Sequence, residues 1–296
     1  MRIGITGATG FIGSALAKAA TERGHGIVVF TRNMDVAIPW AKEVRPILEE
    51  GDNAIDPVDL DALVHLAGEN VMGYWTPAKK RRIRSSRVTL TRRIVESLKN
   101  CHDRPRTFIC ASGTGAYGHR GDEWLTESSA RGKGFLADVC AEWEGAACRA
   151  LPLGVRVVLL RTGMVLGRDG GAWPLLQRIF SHGLGSRLGN GRQWVPWIHL
   201  EDEVGIILEA LENPAFNGPV NLAAPHPATN ADLTRLIAEL LNKPTFLPVP
   251  SFMLRMVMGE LGHIVLDSAR VKPQAALEHG YKFKYPELDH ALAMCV

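Results

Sequence analysis

Residues 1–13 read Met1-Arg2-Ile3-Gly4-Ile5-Thr6-Gly7-Ala8-Thr9-Gly10-Phe11-Ile12-Gly13. An apolar, isoleucine-bearing run leads into three glycines at Gly7, Gly10 and Gly13, and Ser14 to Ala20 then has the composition of a helix. This is a strand, a tight turn and a helix N-terminus in immediate succession. Such a turn brings backbone N–H groups up to a diphosphate, which the helix dipole also favours. Glycine is required where a Cβ would keep the chain from the ligand or the helix from the sheet. A glycine triplet alone is a weak motif; between this strand and this helix it is a strong one.

The bulk properties agree with a nucleotide-binding globular protein. A chain of 296 residues, 46% hydrophobic and 22% charged, buries a large core as one domain or two closely joined ones. A net charge of +3 provides no field that would favour nucleic acid or an anionic membrane. The five cysteines, Cys101, Cys110, Cys140, Cys148 and Cys295, form no CxxC pair and no metal-ligand spacing. They point to free thiols in a reducing, cytoplasmic setting. The N-terminus does not read as a signal sequence, and no run of about 18 apolar residues is present to span a membrane.

Further along, Ile27-Val28-Val29-Phe30 is a buried strand ending in Thr31-Arg32-Asn33. At this strand tip an acidic residue binds a free ribose 2′-hydroxyl, whereas a basic one accepts a 2′-phosphate. Arg32, with Thr31 beside it and no acid before Asp35, selects NADP over NAD. Residues 34–57 carry no pattern that places a third strand. Ala62 to Gly68 is a strand ending in glycine, followed by a loop with Tyr74 and Trp75. The basic run Lys79 to Arg87 opens a helix with Ile83, Leu90, Ile94 and Leu98 on one face. Without interleaved aromatics it reads as a solvated face from which an arginine can reach a cofactor phosphate, and not as a nucleic-acid patch.

Thr107–Ser112 and Val155–Leu160 are further strands, separated by a helix over 135–150. Strands alternating with helices predict an α/β fold, a Rossmann-type doubly wound parallel sheet with a smaller, mixed C-terminal region. The cofactor domain is expected over 1–166, rejoined by about 196–224, with 167–195 and 225–296 as the substrate region. The glycines after 167 and Trp173, Trp194 and Trp197 suggest pocket walls. A helix over 230–242 is expected to start from Asn230 as its cap.

Together these motifs resemble the extended short-chain dehydrogenase/reductase superfamily, and within it the atypical branch of epimerase family proteins similar to NAD-dependent epimerases and dehydratases. The carriers are Thr6–Gly13, His65–Asn70, Leu160–Gly167, Pro196–His199 and Asn221–Pro225. The resemblance implies cofactor contacts at Gly7, Thr9, Gly10, Phe11, Ile12 and Gly13, at Thr31 and Arg32, at Leu66, Ala67, Gly68 and Glu69, and at Met164. It also implies a homodimer and a small polar, sugar-like substrate.

The superfamily's chemistry uses a tyrosine with a lysine four residues later, and a serine on the preceding strand. Ser112 falls where that serine belongs. None of the four tyrosines has a lysine four residues on, and with Glu144 as anchor the dyad positions hold Leu136 and Cys140. A phenol with an unassisted pKa near 10 is a poor base at neutral pH, and pKa matching is worth roughly 10²–10⁴-fold. The catalytic candidates are therefore Ser112 and Tyr117, with Lys133 and Glu69 as further substitutes and His199 as a structural histidine. Two functions follow: an NADP-dependent oxidoreductase or epimerase with a non-standard site, or a non-catalytic NADP(H)-binding sensor.

Overall fold

The computed structural model describes residues 1–35, 38–245 and 247–296, and every side chain among them except that of His263. Among these residues seven strands form one parallel sheet: β1 (Arg2–Thr6), β2 (Gly26–Thr31), β3 (Glu43–Pro46), β4 (Ala62–His65), β5 (Thr107–Gly113), β6 (Arg156–Thr162) and β7 (Gly218–Leu222). Their order across the sheet is β3-β2-β1-β4-β5-β6-β7. The chain direction across the sheet reverses between β1 and β4. In open α/β sheets, ligands bind in the crevice at the carboxyl ends of the strands beside such a reversal.

The strands are apolar on both faces because helices cover both. Alternate residues of β2 show the division. Ile27 and Val29 join Leu16, Ala17 and Ala20 of α1 (Phe11–Glu22) and Ile207 and Leu211 of α6 (Leu200–Glu212). Val28 and Phe30 share the opposite core with Ile94 and Leu98 of α3 (Leu90–Asn100) and Trp143 and Ala147 of α4 (Phe135–Cys148). Each fully buried aliphatic side chain contributes roughly 1.5–3 kcal/mol of transfer free energy.

Three local readings are corrected. The third strand exists as β3, but it is an edge strand of four residues, three half-buried and Pro46 exposed, too short to leave a period-2 pattern. The basic helix is interrupted: α2 (Pro77–Arg84) passes through a π-helical turn over Ser85–Thr89 before α3 begins. The helix α7 (Asn230–Leu240) is capped by Thr229, whose hydroxyl accepts from the Asp232 N–H while the Asp232 carboxylate accepts from the Thr229 N–H. That reciprocal capping box displaces Asn230, whose Oδ1 instead accepts from the Leu188 N–H at 2.9 Å.

The C-terminal part adds α5 (Trp173–Ser181), α7 and the helix Leu288–Ala293 around a third core, while α8 (Ser251–Met258) and α9 (Leu261–Leu266) pack on each other outside it. Trp173 and Trp197 lie fully inside it with Phe180, Leu233 and Ile237, so these two tryptophans are packing residues and not pocket walls. Asp202 of α6 ties the last segment down, accepting from the backbone N–H groups of Lys284 and Tyr285 at 2.7 and 2.9 Å. No helix among the described residues is long and apolar enough to cross a membrane.

Candidate functional site

The glycine turn closes on itself and on β4. Gly7 has φ +76°, and a Cβ there would come within 2.8 Å of the Ala67 backbone nitrogen. A Cβ on Gly13 would lie 2.2 Å from the Gly7 carbonyl oxygen, so α1 can approach the turn only because Gly13 has none. Gly10 differs. It is exposed, and the only nearby atom its Cβ would meet is the Gly7 oxygen at 3.2 Å. It is also the N-cap of α1, and no side chain caps the helix there. The leading N–H groups of α1 are therefore left without a side-chain cap, which is what an oxyanion ligand requires.

Phe11 and Ile12 are half-buried in the first turn of α1, and Thr9 is exposed in the loop. The Phe11 ring sits among Gly167, Gly170 and Gly171, each of whose hypothetical Cβ atoms would come within 3.0 Å of it. These glycines make room for Phe11. Thr31 and Arg32 lie at the end of β2, with Arg32 exposed and Thr31 Oγ1 accepting from the Asn33 N–H at 3.1 Å. Leu66, Ala67, Gly68 and Glu69 leave the end of β4, and half-buried Met164 begins the strand Met164–Gly167 just beyond β6. All of these positions share the carboxyl edge of the sheet.

Beneath that edge, Thr6 Oγ1 and His65 Nδ1 join β1 to β4 at 2.6 Å. Burial, with the charge of Arg87 adding to it, pushes the His65 pKa down to about 3. The ring is therefore neutral at working pH.

A buried polar network lies behind the ends of β5 and β6. Ser112 donates to Glu144 Oε1 at 2.7 Å, and Arg161 donates to both Glu144 oxygens at 2.9 and 3.0 Å. Arg131 adds a contact to Oε2 at 2.6 Å. Burial works to raise the Glu144 carboxyl, but Arg161, Ser112 and Arg131 outweigh it and hold the group below the usual carboxylate range. Tyr117 is fully buried, its phenol donating to Asn221 Oδ1 at 2.7 Å and accepting from Arg161 Nη1 at 3.0 Å. Burial raises the Tyr117 pKa despite the nearby Arg161.

The face of α4 that meets this edge carries Leu136 and Cys140. Leu136 packs on Gly115, whose Cβ would lie 3.2 Å from it, and the Cys140 thiol points at the Gly113 carbonyl at 3.8 Å. Burial pushes that thiol up, so it is not a thiolate at neutral pH. Of the other candidates, Lys133 is exposed, and the Glu69 carboxylate is engaged by Lys79 at 2.8 Å and Arg82 at 3.4 Å. His199 caps α6, its Nδ1 accepting from the Glu201 N–H at 3.3 Å.

Two residues at this edge escape a reading by motif. Arg87 comes off the π-turn and lies against Gly68, with its guanidinium 5.2 Å from the Trp143 ring. Glu203 is buried at the start of α6, where Thr162 Oγ1 donates to Oε1 at 3.0 Å and Oε2 has no partner among the described residues. Burial pushes the Glu203 pKa up to about 8. The one advance signal for Arg87 was the basic run itself.

Comparison with known proteins agrees with this geometry. The model of the NAD dependent epimerase/dehydratase family matches residues 3–223, and that of a Domain of unknown function (DUF1731) matches residues 249–295. The chain belongs to the NAD dependent epimerase/dehydratase family. It is 38% identical to the Arabidopsis thaliana "Epimerase family protein SDR39U1 homolog, chloroplastic", over 99% of this chain and 86% of the plant protein. It is 33% identical to the Bacillus subtilis epimerase family protein YfhF, over 100% of this chain and 98% of that one. The crystal structure of human epimerase family protein SDR39U1 (isoform 2) with NADPH superposes with a TM-score of 0.86 at 30% identity, covering 99% of this chain and 98% of the human one.

Proposed function

We propose that this protein is an NADP(H)-dependent oxidoreductase or epimerase-like enzyme acting on a small polar substrate through a site without the tyrosine–lysine pair. The observation that carries the proposal is the turn at Gly10: an uncapped helix N-terminus opening onto the carboxyl edge where the strand order reverses. Exposed Arg32 at the tip of β2 supports a 2′-phosphate ligand, and a relative of the same fold carries NADPH.

In this reading the turn and the first N–H groups of α1 hold the diphosphate, and Arg32 holds the 2′-phosphate. Leu66 to Glu69 and Met164 border the remainder of the cofactor, which supplies hydride chemistry when bound. Ser112 donates a hydrogen bond to the Glu144 carboxylate, so its oxygen is left to accept from a substrate hydroxyl. Tyr117 is a positioning residue: it fixes Arg161 and Asn221, and Arg161 in turn fixes Glu144 and through it Ser112. Leu136 and Cys140 provide an apolar wall where the family's usual acid and base stand. Residues 167–195 and 225–296 form the substrate side.

Transfer of deuterium from 4-deuterated NADPH to products, measured across a panel of sugar-derived and other small carbonyl compounds, tests the reading. Transfer is expected for the wild type and is expected to fall at least tenfold in Ser112→Ala. No transfer to any compound, or transfer indifferent to the substitution, would count against it.

A further inference from the structure

The charge around the exits of β4 and β5 is lopsided. Arg87 is largely removed from water, yet its two hydrogen bonds go to neutral backbone carbonyls: Glu69 O at 2.9 Å and Ile83 O at 3.3 Å, both from Nη1. No carboxylate among the described residues lies within ion-pairing distance of it. The two acids nearby are each claimed by other cations: Glu69 by Lys79 and Arg82, Glu144 by Arg161 and Arg131. The guanidinium covers Gly68, whose Cβ would come within 3.3 Å of Cζ, and it stacks on Trp143. It also bears electrostatically on Cys140 of α4, a neutral thiol, and on the Glu69 carboxylate, which Lys79 and Arg82 already pair. A net positive charge is therefore fixed at this edge, in a partly desolvated setting where Coulomb terms are strong.

Strand order says which half of a dinucleotide meets that charge. With the 2′-phosphate at the tip of β2 and the diphosphate on the turn after β1, the other half runs over β4 and β5. The nicotinamide ring is cationic when oxidised and neutral when reduced. We propose that Arg87 makes the site select the redox state of its cofactor, holding NADPH and disfavouring NADP⁺. The protein is then poised as a reductase and sheds the oxidised cofactor after turnover. This rests on the NADP reading given above.

The test is a calorimetric titration of NADPH, NADP⁺ and 2′,5′-ADP into the wild type, Arg87→Met and Arg87→Lys. The last ligand has the adenosine half with its 2′-phosphate and no nicotinamide. The wild type is expected to bind NADPH at least about tenfold more tightly than NADP⁺. Arg87→Met is expected to bring the two within about twofold, Arg87→Lys to keep the preference, and 2′,5′-ADP to bind all three proteins alike. Equal affinities in the wild type, a preference that survives in Arg87→Met, or a parallel loss of 2′,5′-ADP binding would each overturn the assignment. If the wild type binds neither 2′,5′-ADP nor NADPH, the NADP reading itself fails and takes this inference with it.

Discussion

At the residue scale the glycines divide by what surrounds them. Gly13→Ala forces a Cβ against the Gly7 backbone, which has no side-chain freedom to yield. The expected cost is about 1–3 kcal/mol of stability, read as a lowered denaturation midpoint of the ligand-free protein. Gly10→Ala meets one atom at an uncomfortable but tolerable distance, so it should leave that midpoint nearly unchanged while weakening NADPH at least tenfold in a titration. Arg32→Ala should weaken NADPH by about 1.5–3 kcal/mol and NADH hardly at all, because a charge-assisted hydrogen bond to the 2′-phosphate is lost. Equal losses for both nucleotides in calorimetry would refute the 2′-phosphate assignment.

Glu203 makes a prediction about pH. Its carboxyl pKa is raised by burial in the folded state to about 8 from its ordinary value of 4.5, so the folded form holds its proton longer than the unfolded one. The associated stability is fully present below pH 4.5 and is lost as pH rises towards 8, by up to roughly 1.4 kcal/mol per unit. Glu203→Gln retains a neutral acceptor for Thr162 and removes the titration. Its melting temperature should be flatter than the wild type's across that window in a pH series. Parallel curves would show that Glu203 is not the group responsible.

At the scale of elements, the π-turn between α2 and α3 matters most. The extra residue in the turn rotates the register of the helix. Arg87 lies on this turn and reaches Gly68 at the sheet edge, while Arg84 pairs with Glu142 at 3.3 Å and Arg82 with Glu69 at 3.4 Å. α4 and β6 are tied through Glu144. Glu144→Ala leaves Arg161 buried without its counter-charge and releases Ser112, an uncompensated burial expected to cost about 3–5 kcal/mol in chemical denaturation.

At the scale of the whole molecule, the C-terminal segment is fastened to the cofactor half at a few polar points. Asp202 accepts from Lys284, Tyr285 and the Tyr281 hydroxyl, and Lys80 of α2 pairs with Glu260 between α8 and α9. Asp202→Ala should loosen residues 281–295 selectively, seen as faster amide exchange there with protection in β1, β4 and β5 retained. Uniform loss of protection would mean that the segment is an inseparable part of one cooperative unit.

How much was legible in advance follows from how far each signal extends along the chain. Strands β1, β2, β4, β5 and β6, the glycine turn and the family resemblance rest on contiguous residues, because hydrophobic period and turn chemistry are local. The empty dyad was legible as well, since Leu136 and Cys140 sit at fixed spacing from Glu144. The tertiary structure alone decided the rest. It put Trp173 and Trp197 in a core, closed Gly167, Gly170 and Gly171 around Phe11, and moved the cap of α7 to Thr229. It also brought Ser112, Glu144, Arg161, Tyr117 and Asn221 into one buried network spanning more than a hundred residues of chain. Burial and counter-charge are properties of such long-range neighbours. The sequence therefore determined what kind of ligand the turn after β1 can hold, and the fold decided that Arg87, with no carboxylate in ion-pairing distance among the described residues, lies against Gly68 at the same sheet edge.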